Sequence, residues 1–218
     1  MLPLLSRHKN TLLSLLLITW LTATLIGLWW FQQQTIRPFV GQDDDMRFWR
    51  ASDTAPLLLN VLGHLPNPRP QQVTLVHLWN PDCLCNQVSQ RHFSGLVQQF
   101  DHEHLRVIIL TPQTTSDATI HQFHRLNGDR YTVVRVSQDI DLPIPSSPGL
   151  ALFNDQMQMS YYGAYGFGAL CTLDDDAFFP NIIERMQAGP YGPFMNVAGR
   201  GCFCAWPTNA SATPASDE

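Results

Sequence analysis

The sequence predicts an α/β domain with a mixed sheet, preceded by one N-terminal transmembrane helix. Residues 11 to 31 carry no charged side chain and are mostly apolar. Between residues 71 and 188, apolar strand-like runs alternate with amphipathic helical patterns, which is typical of parallel strands joined by helical crossovers. The chain has 218 residues, of which 44% are hydrophobic. This length predicts one core with appendages rather than two full domains.

The apolar segment at 11 to 31 is long enough to span a membrane, because about 20 residues cross roughly 30 Å of hydrocarbon. Arg7 and Lys9 precede this segment, and the acidic run QDDD at 42 to 45 follows it. The positive-inside rule therefore places residues 1 to 10 in the cytoplasm and the residues from about 32 onward outside. A cleavable signal peptide is the alternative, since small residues occur at 22 to 24. We favour an uncleaved anchor because the apolar run exceeds a usual signal-peptide core.

Residues 32 to 70 are predicted to form a juxtamembrane linker with a possible short amphipathic helix in FWRASDTAPLLLNVLGHL. Prolines 66, 68 and 70 mark its end. The domain itself is predicted at 71 to 188, and a Gly- and Pro-rich tail at 189 to 218.

Local patterns predict the elements of this domain. Strands are expected at 73 to 79, 106 to 112 and 132 to 136, helices at 83 to 100, 117 to 126 and 174 to 187, a hairpin around Asn154 and Asp155, and a possible helix N-cap at Asp82.

The charge distribution argues against nucleic acid as a partner. Formal net charge is −5, and all 13 basic residues except Lys9 are arginines scattered along the chain. No basic run provides the electrostatic footprint that nucleic-acid binding needs.

Five cysteines form two Cys-x-Cys pairs and a singleton. The first pair lies between the first predicted strand and the following helix, and the second lies in the tail. An odd count leaves at least one thiol without an intramolecular disulfide partner. The five residues are Cys83, Cys85, Cys171, Cys202 and Cys204.

Two motifs resemble the thioredoxin-like superfamily over roughly residues 70 to 188. LWNPDC at 78 to 83 resembles the approach to the nucleophilic cysteine, and SSPGLALF at 146 to 153 resembles the cis-proline loop. The resemblance implies a thioredoxin-like fold with Cys83 as nucleophile, no cofactor, and Pro148 as the cis-proline that shapes the groove for a partner's extended chain. Similarity to membrane-tethered, extracytoplasmic members implies a bacterial inner-membrane protein with its domain in the periplasm, acting on protein thiols or disulfides.

The sequence departs from the family at the resolving cysteine. The family has this residue three positions after the nucleophile, where this chain has Asn86, and Cys85 comes one position early. A Cys-x-Cys disulfide closes a small ring of non-ideal geometry, so it is expected to be labile. In the topology that the resemblance implies, the strand at about 157 to 165 returns to the active-site end, which brings Cys171 near Cys83. The candidate resolving residues are therefore Cys85, Cys171 and the tail pair Cys202 and Cys204, unless a metal ion takes the place of any disulfide.

Three functions stay open on these residues. The first is thiol-disulfide exchange, because a helix N-terminus is expected to lower the pKa of Cys83 and favour its thiolate. The second is Cu(I) or Zn(II) binding by the two Cys-x-Cys pairs, because a thiolate is also a soft metal ligand. Phe203 and Trp206 could anchor the tail pair on the domain for either chemistry. The third is a non-catalytic interaction domain.

Overall fold

The structure of the protein is a computed structural model that describes residues 2–41, 46–137, 144–164 and 178–207. The chain divides into two compact units. The first unit, 1–36, is formed by the helix α1 (Leu2–Thr35). Its segment Thr11–Phe31 is apolar, none of it is buried, and by length and composition it could cross a membrane. The predicted N-terminal apolar helix is therefore confirmed.

The second unit, 37–218, contains the sheet and its covering helices. Its elements in chain order are β1 (Ile36–Pro38), which begins at the unit boundary, a short 3-10 helix (Met46–Trp49), α2 (Ala51–Leu62), β2 (Val73–Leu78), α3 (Leu84–Gln98), β3 (Leu105–Pro112), α4 (Asp117–Asn127), β4 (Tyr131–Val136), β5 (Ser146–Ser147), β6 (Gly149–Phe153), β7 (Met159–Ala164), α5 (Phe178–Ala188), β8 (Phe194–Asn196), β9 (Arg200–Cys202) and β10 (Cys204–Ala205).

A six-stranded mixed sheet forms the centre of this unit, in the order β4-β3-β2-β6-β7-β8. The strands β2, β3 and β4 are parallel, as the sequence predicts, because α3 and α4 provide the crossovers. β6 pairs antiparallel with both β2 and β7, and β8 adds a parallel edge to β7. The central strand β2 therefore ends beside the start of β6.

Alternating side chains along β2 divide the core into two clusters. Val76 and Leu78 pack in one cluster with residues of α2 and the tail. Val73 and Leu75 pack in the other with residues of α3, α4 and α5. The helices α3, α4 and α5 thus cover one face of the sheet, and the helix α2 and the tail cover the opposite face.

The compact unit extends beyond the predicted domain of 71 to 188 on both sides. Leu58 and Val61 of α2 are buried in the core, although the sequence predicts a linker there. In the predicted tail, β8 joins the sheet, and Phe203 is buried. The physical reason is that α3, α4 and α5 pack on the same face, so the opposite face needs covering from outside this range.

The order of elements matches the resemblance in the sequence. A strand–helix–strand unit carries the Cys-x-Cys motif at the junction of its first strand and its helix, a cis peptide bond precedes Pro148, and an antiparallel hairpin and a helix follow. The protein therefore has a thioredoxin-like fold.

Candidate functional site

The turn between β2 and α3 is held by Asn80 and Asn86. The Asn80 carbonyl accepts hydrogen bonds from the Cys83 backbone N–H at 3.1 Å and from Asn86 Nδ2 at 2.9 Å. Both asparagines are buried. These bonds fix the backbone of Cys83 at the point where the chain enters the helix.

Cys83 is the N-cap residue of α3. The prediction that Asp82 caps this helix is wrong, because Asn80 Oδ1 accepts the Asp82 N–H at 3.1 Å and draws Asp82 into the preceding turn. The helix therefore begins one residue later than Asp82 would allow, with the N–H groups of its first turn next to Cys83.

Two nested disulfides join the two Cys-x-Cys motifs, with the outer pair of cysteines enclosing the inner pair. Cys83 is bonded to Cys204, and Cys85 is bonded to Cys202. Their Cα atoms lie 5.9 Å and 5.4 Å apart, within the usual range for a disulfide. The tail is thus bound covalently to the start of α3 at two points.

The sulfur atoms form one compact cluster. The Sγ atoms of Cys83, Cys85 and Cys204 all lie within 4.8 Å of one another. Cys83, Cys85 and Cys202 are buried, whereas Cys204 is partly exposed. Because the sulfurs are this close, a thiolate released from one disulfide would have another disulfide sulfur nearby.

The sulfur cluster lies between the start of α3 on one side and the strand β5 on the other. This strand pairs antiparallel with β10, so that Cys204 lies opposite Ser147 and Ala205 opposite Ser146. Cys83 Sγ lies 3.7 Å from the Ser147 carbonyl oxygen. The Ser147–Pro148 peptide bond is cis, as the resemblance implies. The cysteine cluster is therefore enclosed between the start of α3 and the residues that precede Pro148.

A cluster of aromatic side chains packs against the residues that follow β5. The Phe39 ring packs so closely on Gly149 that a Cβ added there would lie 2.8 Å from two ring carbons. Phe39 also contacts Phe203 edge to face, with ring centroids 5.4 Å apart. Trp206 is buried in the same cluster.

His77 is a buried titratable residue of β2, next to the start of β6 and the cis-proline loop. Burial lowers the pKa of His77 to about 3, and a hydrogen bond with the Gly149 backbone offsets this only in part. Its ring stacks on Phe93 with centroids 4.3 Å apart. His77 is therefore neutral near pH 7 and acts as a core residue.

The structure brings together four of the predicted site cysteines and places Pro148 directly after β5. Cys171 lies outside the described residues, so its role stays a prediction. Cys83 is paired with Cys204 rather than with Cys85. The roles of Asn80 and Asn86 were missed from the sequence. For the nested pairing, the equal spacing of the two Cys-x-Cys motifs was the available signal.

The same cluster has the donor set of a soft-metal site. Its sulfurs are in disulfides here, so they become metal ligands only after reduction. Four thiolates would suit Cu(I) or tetrahedral Zn(II).

Comparison with known proteins gives a family and a set of structural likenesses. A family model described as a domain of unknown function (DUF6436) matches residues 57–206. No curated protein matches the chain.

Three solved structures are examples of the structural likeness. A hypothetical protein from Sinorhizobium meliloti 1021 has a TM-score of 0.52 and 11% identity, over 63% of this chain and 81% of that one. An uncharacterized conserved protein from Geobacillus kaustophilus has a TM-score of 0.50 and 12% identity, over 65% and 80%. A thioredoxin-family thiol:disulfide interchange protein from Chlorobium tepidum TLS has a TM-score of 0.43 and 10% identity, over 54% and 81%. At these identities the likeness concerns the fold alone.

Proposed function

The chain belongs to the DUF6436 family, and for this family member we propose thiol-disulfide exchange with partner proteins through Cys83. The family description assigns no function, so the proposal depends on the site. The observation that carries the proposal is the Cys83–Cys204 disulfide at a helix N-terminus, beside the loop that contains Pro148. We further propose that residues 11–31 anchor the chain in a bacterial inner membrane and that the domain acts in the periplasm. Disulfides persist in that oxidising compartment.

The exchange proceeds in two displacements at sulfur. In the reduced protein, the Cys83 thiolate attacks one sulfur of a partner disulfide, and the other partner sulfur leaves as a thiolate. The Cys204 thiolate then attacks the Cys83 sulfur of this mixed disulfide and releases the second partner thiolate. Two electrons pass from Cys83 and Cys204 to the partner. The reverse sequence oxidises a partner dithiol, and the reduction potentials of the two couples set the direction.

The two cysteines are suited to different roles. The N–H groups at the start of α3 stabilise a thiolate at Cys83, which favours this residue as the nucleophile. Cys204 lies on the short tail segment that pairs with β5. The Cys85–Cys202 disulfide holds this segment in place when the other disulfide is open, which keeps the effective concentration of Cys204 high. Cys85 and Cys171 remain the other candidate resolving residues.

Exchange activity of the full-length protein in detergent tests the proposal. The reduced protein should reduce insulin, and the oxidised protein should transfer disulfides to a reduced substrate. Replacement of Cys83 by Ser should abolish both activities. The variants Cys204→Ser, Cys85→Ser and Cys171→Ser identify the resolving residue, because the matching variant accumulates a mixed disulfide. A protein with all thiols titratable and no exchange would disprove the proposal.

Metal handling is the second candidate function, and the sulfur cluster favours it. Three Sγ atoms lie within 4.8 Å of one another, and the fourth cysteine is bonded to one of them. The fully reduced protein, loaded anaerobically with Cu(I) or Zn(II), should then retain metal in a fixed ratio. The Cys83→Ser/Cys85→Ser variant should lose it. Wild-type protein that retains neither metal would rule out this candidate.

A further inference from the structure

The edge of β5 is filled by the chain's own tail. β5 is two residues long and pairs with β10 in a separate two-stranded sheet. The pairing continues past the strand, because the Trp206 N–H donates to the Pro145 carbonyl oxygen at 3.0 Å. An extended peptide therefore lies along β5, with its cysteine bonded to Cys83.

Two aromatic side chains anchor this extended peptide. Phe203 precedes Cys204 and is 3% exposed, and Trp206 follows two residues later and is 7% exposed. Both belong to the cluster that contains Phe39. The tail thus presents a cysteine in an extended backbone, with an aromatic anchor on each side of it.

This geometry is the one that a mixed disulfide with a partner would need. In the proposed exchange, a partner sulfur is bonded to Cys83, which is where Cys204 is bonded here. Cys83 can form one disulfide at a time, and β5 is already paired with β10 at both of its residues. A partner that uses this edge must therefore displace the tail.

We propose that the β5 edge recognises an extended, cysteine-bearing segment of a partner protein that has an aromatic residue directly before the cysteine and another two residues after it. Residues 203–207 are the built-in occupant that this segment displaces. The inference rests on the proposed exchange function and specifies its substrate class.

The displacement is an ordinary exchange step. A partner thiolate attacks the Cys83 sulfur, the Cys83–Cys204 bond breaks, and Cys204 leaves as a thiolate that takes up a proton. One disulfide replaces another, so no external oxidant or reductant is needed.

Activated peptides test this recognition. The probe is a synthetic peptide of residues 200–207 with Cys202→Ser, whose remaining cysteine carries thionitrobenzoate as a coloured leaving group. It is mixed with reduced full-length protein that carries Cys202→Ser and Cys204→Ser, and release of the leaving group gives the rate. The same protein with Cys83→Ser added gives the background from other thiols.

Removal of an aromatic anchor from the peptide and removal of the same anchor from the protein's own tail should have opposite effects on the reaction rate. Peptides with Phe203→Ala and Trp206→Ala should react at least about tenfold more slowly than the parent, because buried aromatic anchors usually dominate binding. In the protein chain, Trp206→Ala should instead raise the rate with the parent peptide, because the competing tail is loosened. The peptide series alone decides the question if the chain variant does not fold.

The outcomes separate this inference from the proposed function. Equal Cys83-dependent rates for all peptides and for activated glutathione would overturn the recognition and leave exchange intact. Absence of any Cys83-dependent reaction, even with activated glutathione, would overturn both.

Discussion

At the scale of one residue, the buried His77 makes the free energy of unfolding of the domain depend on pH. The pKa of His77 is about 3 in the folded protein, against about 6.5 for an exposed histidine. Between these values the unfolded chain binds more protons than the folded protein. The free energy of unfolding should therefore fall as the pH decreases from 6.5 toward 3, and this loss is absent above pH 6.5.

Replacement of His77 by Leu should remove this contribution. The wild-type free energy of unfolding should lose at most about 1.4 kcal/mol per pH unit below pH 6.5 from this residue, and His77→Leu should show a smaller slope. Chemical unfolding at pH 4 to 7, followed by near-ultraviolet circular dichroism, measures the slope. The exposed His64→Gln variant is the control. Equal slopes for His77→Leu and the wild type would contradict the assignment.

Contact between Phe39 and Gly149 leaves no room for a side chain at position 149. A Cβ there would lie 2.8 Å from the ring, so Gly149→Ala should destabilise the fold by about 1–3 kcal/mol. The matched control is Gly95→Ala on the exposed side of α3, where a Cβ meets nothing within 4 Å and alanine favours the helix.

A double variant distinguishes this clash from other effects. Phe39→Leu removes part of the ring, so it should cost less in the Gly149→Ala background than in the wild type. Strict additivity of the two free energies of unfolding would show that the contact is not the cause.

At the scale of the elements, the proposed exchange gives the two disulfides separate tasks. In this proposal Cys85–Cys202 positions the tail, and Cys83–Cys204 exchanges with the partner. The double variant Cys85→Ser/Cys202→Ser should therefore leave Cys83–Cys204 able to form but easier to reduce. Its equilibrium constant with glutathione should shift by roughly tenfold or more toward the thiols, because the tether no longer holds Cys204 near its partner.

Thiol trapping in glutathione buffers measures this shift, with the wild type as the comparison. An unchanged equilibrium in the double variant would show that Cys85–Cys202 contributes no positioning.

Regular elements were predictable from the sequence, and the tail strands were not. The helix α4 lies at 117–127 against a prediction of 117 to 126, and β2 and β3 differ from their predictions by one residue at one end. These patterns are local, since each depends on apolar spacing within one segment. In contrast, β10 has two residues and exists because it pairs with β5 and because Cys204 bonds a residue 121 positions away. No periodicity in the tail encodes that pairing.

For the molecule as a whole, both flanks of the predicted domain complete the core. The apolar face of the sheet that contains Val76 and Leu78 is covered by α2 and by the tail. The sequence resemblance was limited to roughly 70 to 188, so it pointed to Cys83 as the proposed nucleophile but not to the segment that covers Cys83.

Two truncations test the extent of the folded unit. Removal of residues 1–36 should give a soluble, monodisperse protein with cooperative unfolding, because the unit that starts at residue 37 keeps its core. Removal of residues 1–70 should expose the face that α2 covers and cause aggregation or loss of cooperative unfolding. Equal stability of the two fragments would contradict this account of the core.

The pairing of Cys83 is the most direct test of the account. The protein is alkylated in its own membrane without reduction, digested, and mapped by mass spectrometry for disulfide-linked peptides. The account predicts peptides that link Cys83 to Cys204 and Cys85 to Cys202, together with a smaller population in which Cys83 is bonded to a cysteine of another protein. Local Cys83–Cys85 and Cys202–Cys204 pairs, or five free thiols, would contradict it.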